Sequence, residues 1–268
     1  MGNIKKDKLG KNLKFADKNF WENKFYSENK KGKIFWDDSV YANRKIHSLM
    51  EKFLPTGNKY KVLEVGCYPG FKLIYLNKKF GYSIYGVELI KKSVERTLSN
   101  LNGAELKGKV IHSDFFDESF LKNYSSYFNI LFDYGFSEHF KNFDNVIENY
   151  SKLLKSGGYL VIIIPNLEGI YKKFMSKNLL EKHNLKIMNL SVFERTINQK
   201  FKKLFCDYVG GIYSDSSEES NIALLVQNES TRKFLLKLFK MLNKVMIYCE
   251  PFESKTFSPY LVYIGRKR

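Results

Sequence analysis

The sequence predicts an α/β fold, a doubly wound and mostly parallel sheet with helices on both faces. Three observations carry that expectation. Between Lys61 and Ile164, short segments rich in β-branched, aliphatic and aromatic residues alternate with stretches of helix length, the pattern of successive βαβ units. At Tyr60–Gly70 an apolar strand run ends in a glycine turn and resumes at helical spacing, the opening unit of nucleotide-binding sheets. Tyr159–Ile164 is apolar without alternation, as a strand buried on both faces must be.

Residues 1–36 are polar and lysine-rich, yet they carry Phe15, Phe20, Trp21, Phe25, Tyr26, Phe35 and Trp36. A disordered tail would hold fewer aromatic rings, so part of this segment is expected to dock on the core. Residues 37–268 are read as a single domain. Asp37 or Asp38 caps a helix to about Leu54, whose apolar side is Leu49, Met50, Phe53 and Leu54, and Pro55-Thr-Gly57 ends it.

Strand one is Lys61–Val65, and its helix runs over about Phe71–Phe80. Strand two is Ser83–Val87, ending at Glu88, with a helix over Lys91–Leu101. Val110-Ile111-His112 is a short third strand closed by Asp114. Tyr127–Phe132 is the fourth, leading into Asp133-Tyr-Gly-Phe136. A helix over Asn142–Leu154 follows, and Lys155-Ser-Gly-Gly158 turns the chain into Tyr159–Ile164, the most apolar strand and the expected centre of the sheet.

Two insertions are expected to form lids, near 166–200 and 212–250. The first looks helical but irregular. Lys203–Val209 and Tyr260–Ile264 read as two more strands on either side of the second. Within that second insertion a helix over about Arg232–Ile247 puts Leu235, Leu238, Phe239, Leu242 and Met246 on one face and Lys233, Lys237, Lys240 and Lys244 on another. Such a helix can lie on a membrane surface or pack as a lid with a solvated side.

An apolar share of 44% against 27% charged residues supplies a sizeable core. No apolar run approaches the roughly 18 residues of a membrane helix. Met-Gly-Asn-Ile-Lys-Lys lacks the apolar core of a signal peptide, and Lys6 stands where a myristoylation site wants Ser or Thr. Cys67, Cys206 and Cys249 are widely separated, which suggests a reducing compartment, the cytoplasm, and offers no metal-ligand spacing. The net charge of +17 points to an anionic partner: nucleic acid, acidic lipid or a phosphorylated substrate. Scattered lysines with little arginine are equally the mark of a lysine-rich composition serving solubility.

The glycine turn is not one for a dinucleotide. That site needs glycine where the backbone meets the pyrophosphate and where helix and strand pack, and counted from Gly66 those positions hold Tyr68 and Phe71. Glu88 ends strand two about 20 residues beyond the turn, where a carboxylate accepts hydrogen bonds from ribose hydroxyls. Asp114 after strand three can accept from an adenine amino group with Phe115 against the ring, or it can cap a helix.

Taken together, Glu64-Val-Gly-Cys-Tyr-Pro-Gly70, Glu88, Asp114 and Leu154-Lys-Ser-Gly-Gly158 resemble the ordered motifs of the Rossmann-like S-adenosylmethionine-dependent methyltransferases. The resemblance covers Val62–Asn166 well and the remainder loosely. It implies a seven-stranded sheet with the last strand antiparallel, and a cofactor lying across the carboxyl ends of strands one to four. The implied contacts are Glu64, Gly66, Cys67, Tyr68 and Gly70 at the turn, Glu88 and Leu89, Asp114 and Phe115, and Asp133. This cofactor carries no phosphate, and an acidic residue beside the turn suits its ammonium. Tyr68 departs from the family, which usually has glycine there.

Methyl transfer is an in-line displacement, so positioning does much of the work, but an oxygen acceptor must also lose its proton. His139, in Asp133-Tyr-Gly-Phe-Ser-Glu-His139, is the expected general base; Asp133 is the rival. A histidine there can equally pack against the next helix. Tyr41, Arg44, His183 and Asn184 are candidates for lining the acceptor pocket, while His47 and His112 read as structural.

The segment after strand four lacks the Pro-Pro-Tyr of adenine and glutamine-amide methyltransferases, and no cysteine follows a proline as in cytosine C5 enzymes. Glu138-His139, Pro165-Asn166 and His183-Asn184 resemble a bacterial subgroup acting on small molecules, some in surface-polysaccharide or natural-product pathways. The expected reaction is O-methylation of a small polar anionic acceptor, a sugar or phosphorylated precursor. An RNA methyltransferase, and a cofactor-binding module without catalysis, are the alternatives.

Overall fold

The computed structural model describes residues 40–169, 172, 177–211, 229–249 and 252–268. The aromatic N-terminal segment 1–36, the Asp37/Asp38 cap and residues 212–228 of the second insertion lie outside the described residues.

The chain runs α1 (Tyr41–Phe53), β1 (Lys61–Val65), α2 (Phe71–Phe80), β2 (Ser83–Glu88), α3 (Lys91–Gly103), β3 (Lys109–His112), α4 (Glu118–Asn123) and β4 (Phe128–Tyr134). It continues through α5 (Phe143–Leu153), β5 (Leu154–Pro165), α6 (Lys177–Glu181), α7 (Leu190–Asn198), β6 (Phe201–Val209), α8 (Glu229–Cys249) and β7 (Tyr260–Lys267). The seven strands form one sheet in the order β3-β2-β1-β4-β5-β7-β6. β7 is antiparallel to both β5 and β6, and the pairs among β1 to β5 are parallel. This is the architecture the sequence predicts.

Alternation along each strand divides the core in two. Leu63, Val65, Leu131, Leu160, Ile162 and Ile164 face one cluster with Val146, Ile147 and Tyr150 of α5. Val62, Ile130, Phe132, Val161 and Ile163 face the other, with Ile46 and Met50 of α1 and Leu73, Ile74 and Leu76 of α2. Burial of each such Leu or Ile contributes about 1.5–3 kcal/mol.

Four details depart from the sequence reading. The middle strand is β4, and β5 lies beside it; apolarity on both faces places a strand inside the sheet, but any covered inner strand satisfies it. Lys155–Gly158 stays within β5, where the register against β4 shifts between Phe128 and Ile130. α4, absent from the sequence reading, is signalled by Asp117, whose side chain accepts from the Phe120 N–H. α1 begins at Tyr41 without a side-chain cap at Val40.

α8 packs against α1. It buries Met246 and half-buries Leu238 and Leu242, while Phe234, Met241, Val245 and Tyr248 are exposed. Among the described residues no helix is long and apolar enough to cross a membrane.

Candidate active site

Three carboxylates gather at the carboxyl ends of adjacent strands. Pairing sets Val65 beside both Val87 and Asp133, so Glu64, Glu88 and Asp133 share one edge of the sheet. Glu64 is buried, and desolvation holds its carboxyl well above the usual range, with the Lys72 charge and the Leu73 N–H pulling the other way. Its Oε2 has no protein hydrogen-bond partner among the described residues. A buried carboxylate oxygen in that condition is costly, and an ammonium group of a bound ligand would satisfy it.

The turn after β1 is built on glycines that nothing else replaces. Gly66 sits at φ 67° and donates its N–H to Val87 O at 3.0 Å; a Cβ there would stand 2.9 Å from Phe136 Cδ2. Gly70, at φ 91°, is the N-cap of α2, and its Cβ would stand 2.8 Å from Thr97 Cγ2. Asn100 pins the turn by donating from Nδ2 to Pro69 O at 2.9 Å. Tyr68 is half-buried within it. The side chain of Cys67 takes no part: it is fully buried in the core against Gly86, where any side chain would collide with its sulfur. Burial and the charges of Glu64 and Glu88 push its thiol pKa up.

Glu88 is buried, which raises its pKa, and its Oε1 accepts from the Ile90 N–H at 3.1 Å. The carbonyl of Leu89 is met by His112 Nε2 at 3.1 Å. Asp114 Oδ1 accepts from the Phe116 N–H at 3.0 Å, shaping its own loop. Phe115 is buried and makes edge contacts with Phe116, Phe136 and Tyr150. Phe136 therefore links two expected parts of the site, the Gly66 turn and the Phe115 corner.

Asp133 is fully buried on the α5 side. Oδ1 accepts from the N–H groups of Phe136 (3.0 Å) and Ser137 (3.4 Å), and Oδ2 accepts from Tyr150 OH at 2.9 Å. Burial pushes its pKa up to about 6 against these hydrogen bonds. Oδ1 thus holds the loop that follows β4, and Oδ2 ties the strand end to α5.

His139 ends a single 3-10 turn in that loop, Ser137–His139, and is buried. Its Nδ1 lies 2.8 Å from Lys182 O. A carbonyl only accepts, so Nδ1 carries hydrogen and the neutral ring has its lone pair on Nε2. Nε2 stands 3.9 Å from Glu138 Oε1, and the His183 ring lies 4.6 Å away between centroids. Asn184 brings the segments together, donating its N–H to Glu138 O and its Nδ2 to Phe140 O. Asn184 is thus a buried staple whose side-chain nitrogen is taken by backbone carbonyls.

Tyr41 and Arg44 sit on α1, whose first turn meets the β6–β7 end of the same edge: a Cβ on Gly210 would strike Ala42 and Pro259. Tyr41 is buried and Arg44 exposed. His47 is buried among Tyr75 and Phe80 and lies 3.1 Å from Glu51. The sequence reading missed Lys72, Phe136 and Tyr150. Lys72 could have been found as the cation in the first turn of α2; its Nζ lies over the Tyr134 ring at 4.3 Å. For Tyr150 no local signal exists, since its partner Asp133 is on another element.

A model of a methyltransferase domain matches residues 56–228, more than half of the chain. The chain belongs to this methyltransferase family, whose methyl donor is S-adenosyl-L-methionine. No curated protein sequence matches it. Solved structures share the fold at low identity. A SAM-dependent methyltransferase from Archaeoglobus fulgidus aligns with a TM-score of 0.51 and 18% identity, covering 91% of this chain and 99% of that one. A putative sarcosine dimethylglycine methyltransferase from Galdieria sulphuraria aligns at 0.54 and 13%, covering 84% of each chain. Geranyl diphosphate C-methyltransferase from Streptomyces coelicolor A3(2), solved with Mg2+, geranyl diphosphate and S-adenosyl-L-homocysteine, aligns at 0.56 and 12%, covering 84% and 77%.

Proposed function

We propose that this methyltransferase methylates a hydroxyl oxygen on a small, polar, anionic acceptor, a sugar or phosphorylated precursor of the kind used in surface-polysaccharide or natural-product synthesis. The bound donor supplies a methyl group on a sulfonium. Glu64 neutralises the donor's ammonium, Glu88 and Leu89 take its ribose, and Asp114 with Phe115 takes its adenine. Gly66, Tyr68 and Gly70 shape the turn beneath it, with Cys67 contributing backbone alone.

The observation that carries the oxygen acceptor is His139, whose tautomer is fixed by Lys182 O so that Nε2 has the lone pair. The acceptor hydroxyl is activated through that nitrogen. Asp133 holds the loop that positions it and is not the base in this reading. His183, half-buried against His139, lines the acceptor side, and Tyr41 and Arg44 edge it from α1. The first insertion, tied to this loop through Asn184, covers this end, and the charge of +17 draws in the anion.

The test is formation of S-adenosylhomocysteine against panels of sugar phosphates, nucleotide sugars and RNAs. Turnover of a sugar phosphate that H139N abolishes, with cofactor binding retained, supports the reading. Turnover of RNA alone, with affinity falling steeply in salt, replaces it with RNA methylation. Cofactor binding without turnover of any acceptor supports a module that lacks catalysis.

A further inference from the structure

We propose that Glu138, His139 and His183 form a binding site for a divalent first-row transition ion. One ligand atom from each residue lies within 4.8 Å of the other two. Two imidazole nitrogens and a carboxylate oxygen about 2.1 Å from one ion stand roughly 3–3.5 Å apart. An ion would draw the three atoms together by the difference.

Two further features match what such a site requires. Ligating histidines characteristically donate their far ring nitrogen to a carbonyl or carboxylate, which fixes the tautomer. His139 has that arrangement: Nδ1 is anchored at 2.8 Å to Lys182 O, and Nε2 is the nitrogen on the Glu138 side. The ligands also come from two chain segments that are tied together independently of any ion. The Asn184 N–H donates to Glu138 O at 2.6 Å, and its Nδ2 donates to Phe140 O at 2.9 Å. The residue next to His183 is thus bonded to the backbone of Glu138. Glu138 and His139 are buried and His183 is half-buried, so the cluster opens on its His183 side.

Two nitrogens and one carboxylate suit Zn2+, Mn2+, Fe2+ or Co2+, whereas Mg2+ and Ca2+ prefer oxygen throughout. Three protein ligands leave coordination positions open, as in catalytic sites. Resting on the reading that this end of the sheet receives the acceptor, those positions take acceptor oxygens. His139 would then act as a ligand, and the ion would lower the pKa of the bound hydroxyl, so that its proton passes to solvent water as the oxygen takes the methyl group and the donor's carbon–sulfur bond breaks. The competing account of the same geometry is a protonated His139 paired with Glu138, which needs no ion.

The experiment uses the full chain stripped with a chelator, titrated calorimetrically with Zn2+, Mn2+, Co2+ and Mg2+, with the visible spectrum of the Co2+ form recorded. One transition ion per chain is expected, with Mg2+ weaker. H183N and E138Q should each weaken binding by more than about 100-fold and alter the Co2+ spectrum. S-adenosylhomocysteine affinity, measured on the same variants, reports that the fold is intact. The proposal is overturned if the wild type binds no transition ion stoichiometrically, or if both variants bind as it does. Ion binding as expected with no polar acceptor turned over would sink the acceptor reading and leave the ion site standing.

Discussion

Asn184 donates from Nδ2 to the carbonyl oxygen of Phe140, 2.9 Å away and 44 residues earlier in the chain. The same group reaches Lys141 O at 3.5 Å, the Asn184 N–H reaches Glu138 O, and His139 returns the tie through Nδ1 to Lys182 O. The first insertion is therefore bonded to the loop after β4, and the two histidines meet because of it. On the proposed reading, donor site and acceptor side are built by different means. The donor site depends on strand ends and glycines, the acceptor side on this staple.

N184A should separate the two. It leaves the buried carbonyl of Phe140 without its donor, a loss of about 1–3 kcal/mol in unfolding free energy. Acceptor turnover should fall with it, while S-adenosylhomocysteine affinity measured by calorimetry stays at the wild-type value. An equal loss of cofactor affinity would mean that the staple supports the whole edge.

At Gly70 the strain is local and can be compared within the molecule. G70A must hold a side chain at φ 91° and move the buried Thr97 methyl, so it should lose at least about 1–2 kcal/mol by denaturant titration and bind the cofactor more weakly. At Gly103, the last residue of α3, a Cβ meets open space, and G103A should be neutral or stabilising by up to about 1 kcal/mol. Equal effects at the two positions would remove the argument from the turn.

How much of this was legible in the sequence depends on how far apart the interacting residues lie. Glu64, Gly66, Gly70 and Glu88 declare themselves because strand, turn and next strand end follow within one βαβ unit, where spacing alone fixes their place. Phe71–Phe80 matched α2 end to end for the same reason. His139 and His183 were each suspected, but nothing in spacing announces that Asn184 would bring them together, since the staple runs from side chain to backbone across an insertion. The burial of the Cys67 side chain is not legible in the contiguous string of the turn: alternation carries its sulfur into the core, against a glycine on the neighbouring strand. The centre of the sheet is β4 and not the more apolar β5, because burial on both faces looks alike in the two.

The buried Asp133 should leave a mark on the pH dependence of stability. Its folded pKa, about 6, lies above the ordinary 3.8, so the folded state binds the proton more tightly than the unfolded chain. Its contribution to stability is complete below the lower value, declines as pH rises between them, and is lost above the upper. D133N should flatten that decline in denaturant titrations run across this range. Y150F, which removes the hydrogen bond to Oδ2, should cost about 1–2 kcal/mol and should raise the folded pKa further, shifting the decline to higher pH. A Y150F profile that moved to lower pH would contradict this account of the site.

Glu64 ties the same physics to the cofactor. Burial holds its carboxyl high, and the nearby Glu88 and Asp133 charges push in the same direction against Lys72. A cationic ligand group binds the ionised form, so binding must lower the Glu64 pKa and release a proton. Affinity for S-adenosylmethionine should therefore rise with pH through the range, above the ordinary carboxylate one, in which Glu64 titrates in the free protein, with proton release seen as a dependence of the binding heat on buffer ionisation enthalpy. S-adenosylhomocysteine keeps the ammonium and lacks the sulfonium charge; if Glu64 answers the ammonium, both ligands show the same slope. E64Q should bind both more weakly and lose most of that slope. Proton uptake in the wild type, or a slope in E64Q as steep as the wild type's, would remove Glu64 from the role.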